Sequence, residues 1–227
     1  MITGRPTRTT IPTTPPMQAE ALLTLSRWLS PGYPTGGFNF SAGLESAVAA
    51  GLDKAGLEAW LSGLLCHGAP RTDALFLHLA HAAPPEALPS LAERAAAMAL
   101  GAERLAETLQ QGAAFAATTR ASAGLDLPDM PYPLAVGRAA RLAGLPAVPA
   151  CALFLQAQMS NMVQAALRLM PLGQTAGAGI MERLAPLCAR LAEETAGQGL
   201  ADLGTAAFAA DVASLRHEVL APRMFRS

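Results

Sequence analysis

Lysine is almost missing from this sequence. Lys54 is the single one in 227 residues, and every other basic side chain is arginine. A phosphate-cradling loop needs a lysine followed by Ser or Thr behind a glycine-rich lead. Lys54 has neither neighbour, which excludes that mode of nucleotide binding. Cysteine is scarce and odd in number. Cys66, Cys151 and Cys188 lie far apart, form no paired zinc pattern and no disulfide framework, and point to a reducing, cytoplasmic setting. Aromatics make up 5% of the chain. Charge of one sign is not in excess either, since the formal net charge is -1. That removes the electrostatic reason to expect nucleic acid or an anionic membrane as a partner. No apolar run suits a membrane span. The longest uncharged stretch, 142–167, is interrupted by Pro146, Pro149, Gln156, Gln158, Ser160, Asn161 and Gln164. Residues 1–17, rich in Thr and Pro, lack the apolar core of a secretory signal and read as a flexible tail.

What is present is alanine and leucine, within a hydrophobic share of 52%. Both favour helix, while the β-branched residues and aromatics that favour strands are few. The composition predicts an all-α protein: a single compact, bundle-like domain of about ten helices over 18–220, with a short tail at 221–227. Apolar periodicity and helix breakers place helices near 18–29, 41–50, 53–65 and 71–82. Residues 91–100 and 102–121 read as one helix bent at Gly101. Further helices are expected at 134–142, 150–170, 174–196 with a kink at Pro186, and 204–220. The core stripes predicted are Leu22, Leu25 and Leu29 in the first helix and Phe208, Val212, Leu215 and Val219 in the last. In 150–170 the stripe is Cys151, Leu155, Met159, Met162, Ala166 and Leu169.

Catalytic patterns are absent: there is no GxSxG and no HExxH. The nearest to a metal site is His78 and His81, at i, i+3 on one helix, with Asp73 a turn and a half earlier. This pair gives an alternative reading of the chain as a helical, metal-dependent enzyme, against a plain solvated helix face. A structural subunit of some larger helical assembly is a third reading.

One stretch breaks the helical pattern. Residues 30–45, SPGYPTGGFNFSAGLE, carry two prolines, four glycines and three aromatics. Such a loop is stiff, and its aromatics need covering. Gly36, Gly37, Phe38, Phe40 and Glu45 are its candidate contact residues, with Ser41 the expected cap of the next helix. The chain ends in SLRHEVLAPRMFRS. A helix here stops before Pro222, and Arg223, Met224, Phe225 and Arg226 follow as a short basic and apolar tail. The tail is expected to pack on the loop, with Arg223 stacking on Phe38 or pairing with Glu45.

Three segments in order resemble the UreF family of urease accessory proteins. The loop is similar to that family's SPALPVGGFSYSHGLE-type segment. RLMPLGQT, Arg168 to Thr175, resembles its RLxPLGQT. His217-Glu218 with RMFRS at the end resembles HE…RLFRS. Phe40 stands where the family has tyrosine, and Gly32-Tyr33 where it has Ala-Leu. The resemblance implies an all-helical maturation factor that is not an enzyme and holds no stable cofactor of its own. It implies a homodimer that bridges a UreD/UreH-type protein and the GTPase UreG on apo-urease. Nickel is then handled by the whole complex, and GTP is bound by the partner GTPase. The implied partner-binding residues are Gly36, Gly37, Phe38, Phe40, Glu45, Gln174, Arg223, Phe225 and Arg226.

Overall fold

The computed structural model describes residues 18–226. The reading of 1–17 as a tail lies outside the described residues. Ten α-helices and no strand occur among them: α1 (Ala19–Trp28), α2 (Leu44–Ala49), α3 (Leu57–His67), α4 (Ala69–Ala82), α5 (Leu88–Ala97), α6 (Ala102–Ala123), α7 (Tyr132–Leu142), α8 (Ala147–Leu169), α9 (Gln174–Thr195) and α10 (Phe208–His217). The all-α expectation holds, and the helices share one core.

α4 is the central helix. Residues 72–78 are buried without a break, because α3, α7, α8 and α9 all pack against it. A helix covered on every side loses the usual polar face. Its approach to α7 depends on Gly137, where a methyl group would overlap the Leu77 carbonyl and sit 3.0 Å from its carbon. α8 and α9 double back on each other across a four-residue connection. Gly177 of α9 faces Val163 and Leu167 of α8 there. The α8 stripe is where periodicity places it: Cys151, Leu155, Met159, Met162 and Ala166 are buried.

Five of the aromatics form one cluster. Phe115 meets Trp28, Tyr33 and Tyr132, and Tyr132 meets Phe154, at centroid distances of 5.2 to 5.9 Å. Such pairs each add about 0.5–1.5 kcal/mol beyond their burial. Tyr33 belongs to the loop after α1, and its hydroxyl meets Thr119 Oγ1 of α6 at 2.8 Å. The loop is thus fastened to the core at its start.

Four expectations are corrected. Residues 91–121 form two helices, not one, because Gly101 takes a φ of +88° that breaks the run. The 41–50 helix begins at Leu44, after a turn in which Ala42 and Gly43 both have positive φ. In α1, Leu22 is exposed and Trp28 takes the buried place. In α10 the stripe of Phe208, Val212 and Leu215 faces outward, and Val219, just past the helix end, is exposed as well. The buried side of α10 is Ala210, Ala213 and His217. Small residues are needed there because α10 crosses directly over the loop backbone. A methyl group on Gly43 would come within 2.6 Å of the Ser214 nitrogen.

Candidate partner interface

The loop of residues 30–45 ends in the first turn of α2, which carries Glu45. Ala42 and Gly43 turn the chain so that this carboxylate lies under the end of α10. Glu45 is buried, yet it has three hydrogen-bond donors. Met224 N–H donates to Oε1 at 2.7 Å, Phe225 N–H to Oε2 at 2.9 Å, and the His217 ring meets Oε2 through Nε2 at 3.1 Å. Burial pushes this carboxyl up, but the bonds from His217, Met224 and Phe225 outweigh it and hold it below the usual carboxylate range. A carboxylate that accepts several N–H bonds is stabilised in its charged form.

His217 has no solvent exposure. Its other nitrogen, Nδ1, meets Glu103 Oε2 at 2.7 Å, in the first turn of α6. Glu103 also pairs with Arg223 through Oε1. The neighbouring Glu218 accepts from the amides of Ala102 at 2.6 Å and Glu103 at 3.3 Å, so it caps α6 from outside that helix. Free amides at a helix start favour such an anion. The His-Glu pair at the end of α10 therefore has two jobs: His217 ties α2 to α6, and Glu218 finishes α6.

The tail lies along the loop. Arg226 N–H donates to the Asn39 carbonyl at 2.8 Å. Phe225 is buried, and Arg168 at the end of α8 covers its ring, with the guanidinium carbon 4.2 Å from the centroid. Arg168 also donates to the Phe38 carbonyl at 3.0 Å. Two apolar side chains beside this closure stay in solvent: Phe38 is 63% exposed and Met224 61%.

Most of the sequence candidates therefore meet. Gly36 takes a φ of +74° at the start of the short turn Gly37–Asn39, Gly37 and Phe40 are buried, and Phe38 points out. Glu45, Arg223, Phe225 and Arg226 join them. Gln174 is exposed at the first turn of α9, and the structure gives it no place in the cluster. The assigned contacts change. Arg223 neither stacks on Phe38 nor pairs with Glu45; it pairs with Glu103, because the tail backbone already occupies Glu45. Arg168, not Arg223, is the stacked cation, and its ring is Phe225. Ser41 does not cap α2 as its flanking residue: its hydroxyl lies 3.4 Å from the Glu45 amide, and Gly43 holds the cap position. Sequence reasoning did not single out His217 or Glu103 as site residues, and it weighed Arg168 only as a candidate interaction residue beside the turn after α8. His217 and Arg168 stood inside segments of the resemblance, whereas Glu103 is one glutamate among many.

Behind the loop lies a cavity of about 130 Å³, lined in part by Gly37, Phe40 and Asn161. It borders a buried polar group in which Asp73 pairs with Arg104 at 2.5 Å and accepts from Gln158 at 3.0 Å. Glu107 completes it, its carboxyl pushed up by burial. The histidine reading changes here. His78 is buried rather than on a solvated face, and its Nε2 lies 3.0 Å from the Ala192 carbonyl. His81 Nε2 lies 2.9 Å from the Leu145 carbonyl. Asp73, the third member, is held by Arg104. Among the described residues no group of three or more His, Cys, Asp or Glu is arranged to hold a metal, and no helix is long and apolar enough to cross a membrane.

Two outcomes follow from this geometry. Arg168→Ala is expected to cost about 1 kcal/mol by loss of the stack and the carbonyl bond. Urea unfolding checks the cost, and faster amide exchange at Phe225 checks its place. Acid acts through Glu45. A carboxyl held below its unfolded value stabilises in full above the ordinary range and loses that contribution as pH falls through its folded value. Amide protection at Met224 and Phe225 is therefore expected to be lost as pH falls below the ordinary carboxylate range, in step with protonation of Glu45. Protection unchanged after Glu45 has taken up its proton would show that Glu45 is not the anchor.

The fold and site together describe an all-helical protein that holds its own C-terminal tail against an aromatic loop. Comparison with known proteins places it in a family. The family model described as UreF matches residues 52–185. The Urease accessory protein UreF of Cereibacter sphaeroides is 46% identical over 211 residues, covering 92% of this chain and 100% of its own length. Those of Dinoroseobacter shibae and Ruegeria pomeroyi are 44% and 43% identical, covering 91% and 92% of this chain and 99% and 97% of theirs. The chain belongs to the UreF family of urease accessory proteins, and so it serves urease maturation as an accessory factor rather than as an enzyme.

Proposed function

We propose that the closed loop and tail form the docking surface for a UreD/UreH-type protein, and that the complex then recruits the GTPase UreG on apo-urease. In this reading the protein couples the state of that GTPase to nickel delivery. Nickel is cargo of the assembly, GTP stays on the GTPase, and this chain keeps no cofactor. The observation that carries the reading is the tail itself. A buried carboxylate, a buried histidine and a stacked arginine hold Arg223 to Arg226 in place, with Phe38 and Met224 exposed beside them. Exposed apolar side chains on a pre-ordered frame suit a partner, since little ordering entropy remains to be lost on binding.

The outward stripe of α10 supports a homodimer. Phe208 is 75% exposed and Val219 84%. The free thiols fit a cytoplasmic site of action. Co-expression with UreD-type, UreG-type and apo-urease subunits tests the function. The expected result is a stable complex and nickel-dependent urease activity, both reduced when residues 223–227 are deleted. Wild-type recovery of the partner by the truncated chain would contradict the reading.

A further inference from the structure

The clasp at His217 contains an unusual charge arrangement. Both ring nitrogens face carboxylate oxygens, Glu103 Oε2 through Nδ1 and Glu45 Oε2 through Nε2. A carboxylate only accepts. Both bonds therefore exist together only when both nitrogens carry protons, that is, with an imidazolium ring. A neutral ring has one proton for two acceptors.

We infer that docking of the C-terminal tail is proton-linked, with His217 as the switch. The charges around the ring come from four elements. α2 supplies Glu45, α6 supplies Glu103, the tail supplies Arg223, and α10 supplies His217 itself. With the ring protonated, two carboxylates meet two cations. Nearby charges are otherwise engaged or turned away. Glu218 is bound to the α6 amides, Arg104 to Asp73 and Glu107, Arg168 to Phe225 and Phe38, and Arg226 to Gln110, while Arg216 is exposed.

When one proton leaves, the remaining one stays on the shorter contact, Nδ1 to Glu103 at 2.7 Å. The lone pair of Nε2 then faces Glu45 Oε2. That oxygen is also the acceptor for Phe225 N–H. Repulsion moves the carboxylate away from the ring and loosens the tail with it. The direction follows from the bonds themselves: both are made while the ring carries two protons, and one is lost when a proton leaves. The clasp stands on the fold alone. Its consequence for partner docking rests on the reading under Proposed function.

The test uses the isolated full-length chain, so its outcome is independent of any partner. Ring nitrogen shifts of His217 and amide protection factors of Met224 and Phe225 are followed by NMR from pH 5 to pH 9. Protection at both amides is expected to fall about tenfold in step with loss of the second ring proton. In His217→Gln the same protection is expected to be low and flat across that range. A singly protonated ring beneath a fully protected tail would overturn the inference, as would protection unchanged through the ring's titration. Glu103→Gln gives a second readout that keeps the buried ring. It is expected to move the coupled midpoint to lower pH by removing a carboxylate that favours the charged ring, and an unmoved midpoint would also overturn the inference.

Discussion

Replacing Glu45 with alanine is expected to unlatch the tail and lower stability by about 3 kcal/mol, with a fall in Tm of roughly 6–12 °C. Three donors lose their acceptor at once: the His217 ring and the amides of Met224 and Phe225. The ring has no route to water, because His217 has no exposed surface. Breaking a buried charged contact on one side leaves the other side uncompensated, which is why the effect exceeds that of one hydrogen bond. The loss should not stop at α2. With His217 detached from Glu45, the polar ties left at the end of α10 run to α6, and Arg223 remains with Glu103. Trypsin is expected to cut after Arg223 and Arg226 in the variant well before the helical body is digested. A variant with unchanged Tm and a protected tail would show that the buried carboxylate is not what holds the terminus.

Gly137→Ala is expected to be as damaging, at about 3 kcal/mol or more, by a different route. The new methyl group has no flexible neighbour to displace. It meets the backbone carbonyl of Leu77, in the most buried part of α4. The two helices must separate, and the surrounding core must repack with them. Gly63 provides the contrast. It sits within α3 with nothing within 4 Å of an added methyl group. Gly63→Ala is expected to be neutral or to stabilise by up to about 1 kcal/mol through helix propensity alone. Chemical denaturation of both variants measures the difference. Equal stabilities would mean that the α4–α7 approach is looser than it stands here.

The helical class, the long buried α8 and the irregular loop were all legible in the sequence, because each depends on local preference. Alanine and leucine leave little choice but helix, and SPGYPTGG cannot continue one. The face that α10 buries was not legible. Periodicity finds Phe208, Val212, Leu215 and Val219 on one stripe, but it does not say that this chain provides a cover for them. The buried stripe, Ala210 and Ala213 with His217, has little hydrophobic signal. It is selected by the closeness of Gly43, which is 171 positions away from Ser214 in sequence. The same limit applies to the clasp. A carboxylate at position 45 and an arginine at 223 suggest a pair by charge. Nothing local reveals that backbone amides take Glu45 first, that Glu103 receives Arg223, or that a histidine sits between them. Long-range polar contacts depend on the tertiary path of the chain, which local patterns do not encode.

The central claim is that the surface beside the closed tail is where a UreD/UreH-type protein docks. The most direct measurement is the affinity of that partner for the double variant Phe38→Asp and Met224→Asp, compared with the unaltered chain. Both side chains are exposed, so the helical body and the tail amide protection should stay as they are. The account predicts that affinity falls at least about a hundredfold, in line with loss of two central apolar contacts. A variant that keeps its fold, keeps its tail in place and binds the partner as tightly as before would contradict it.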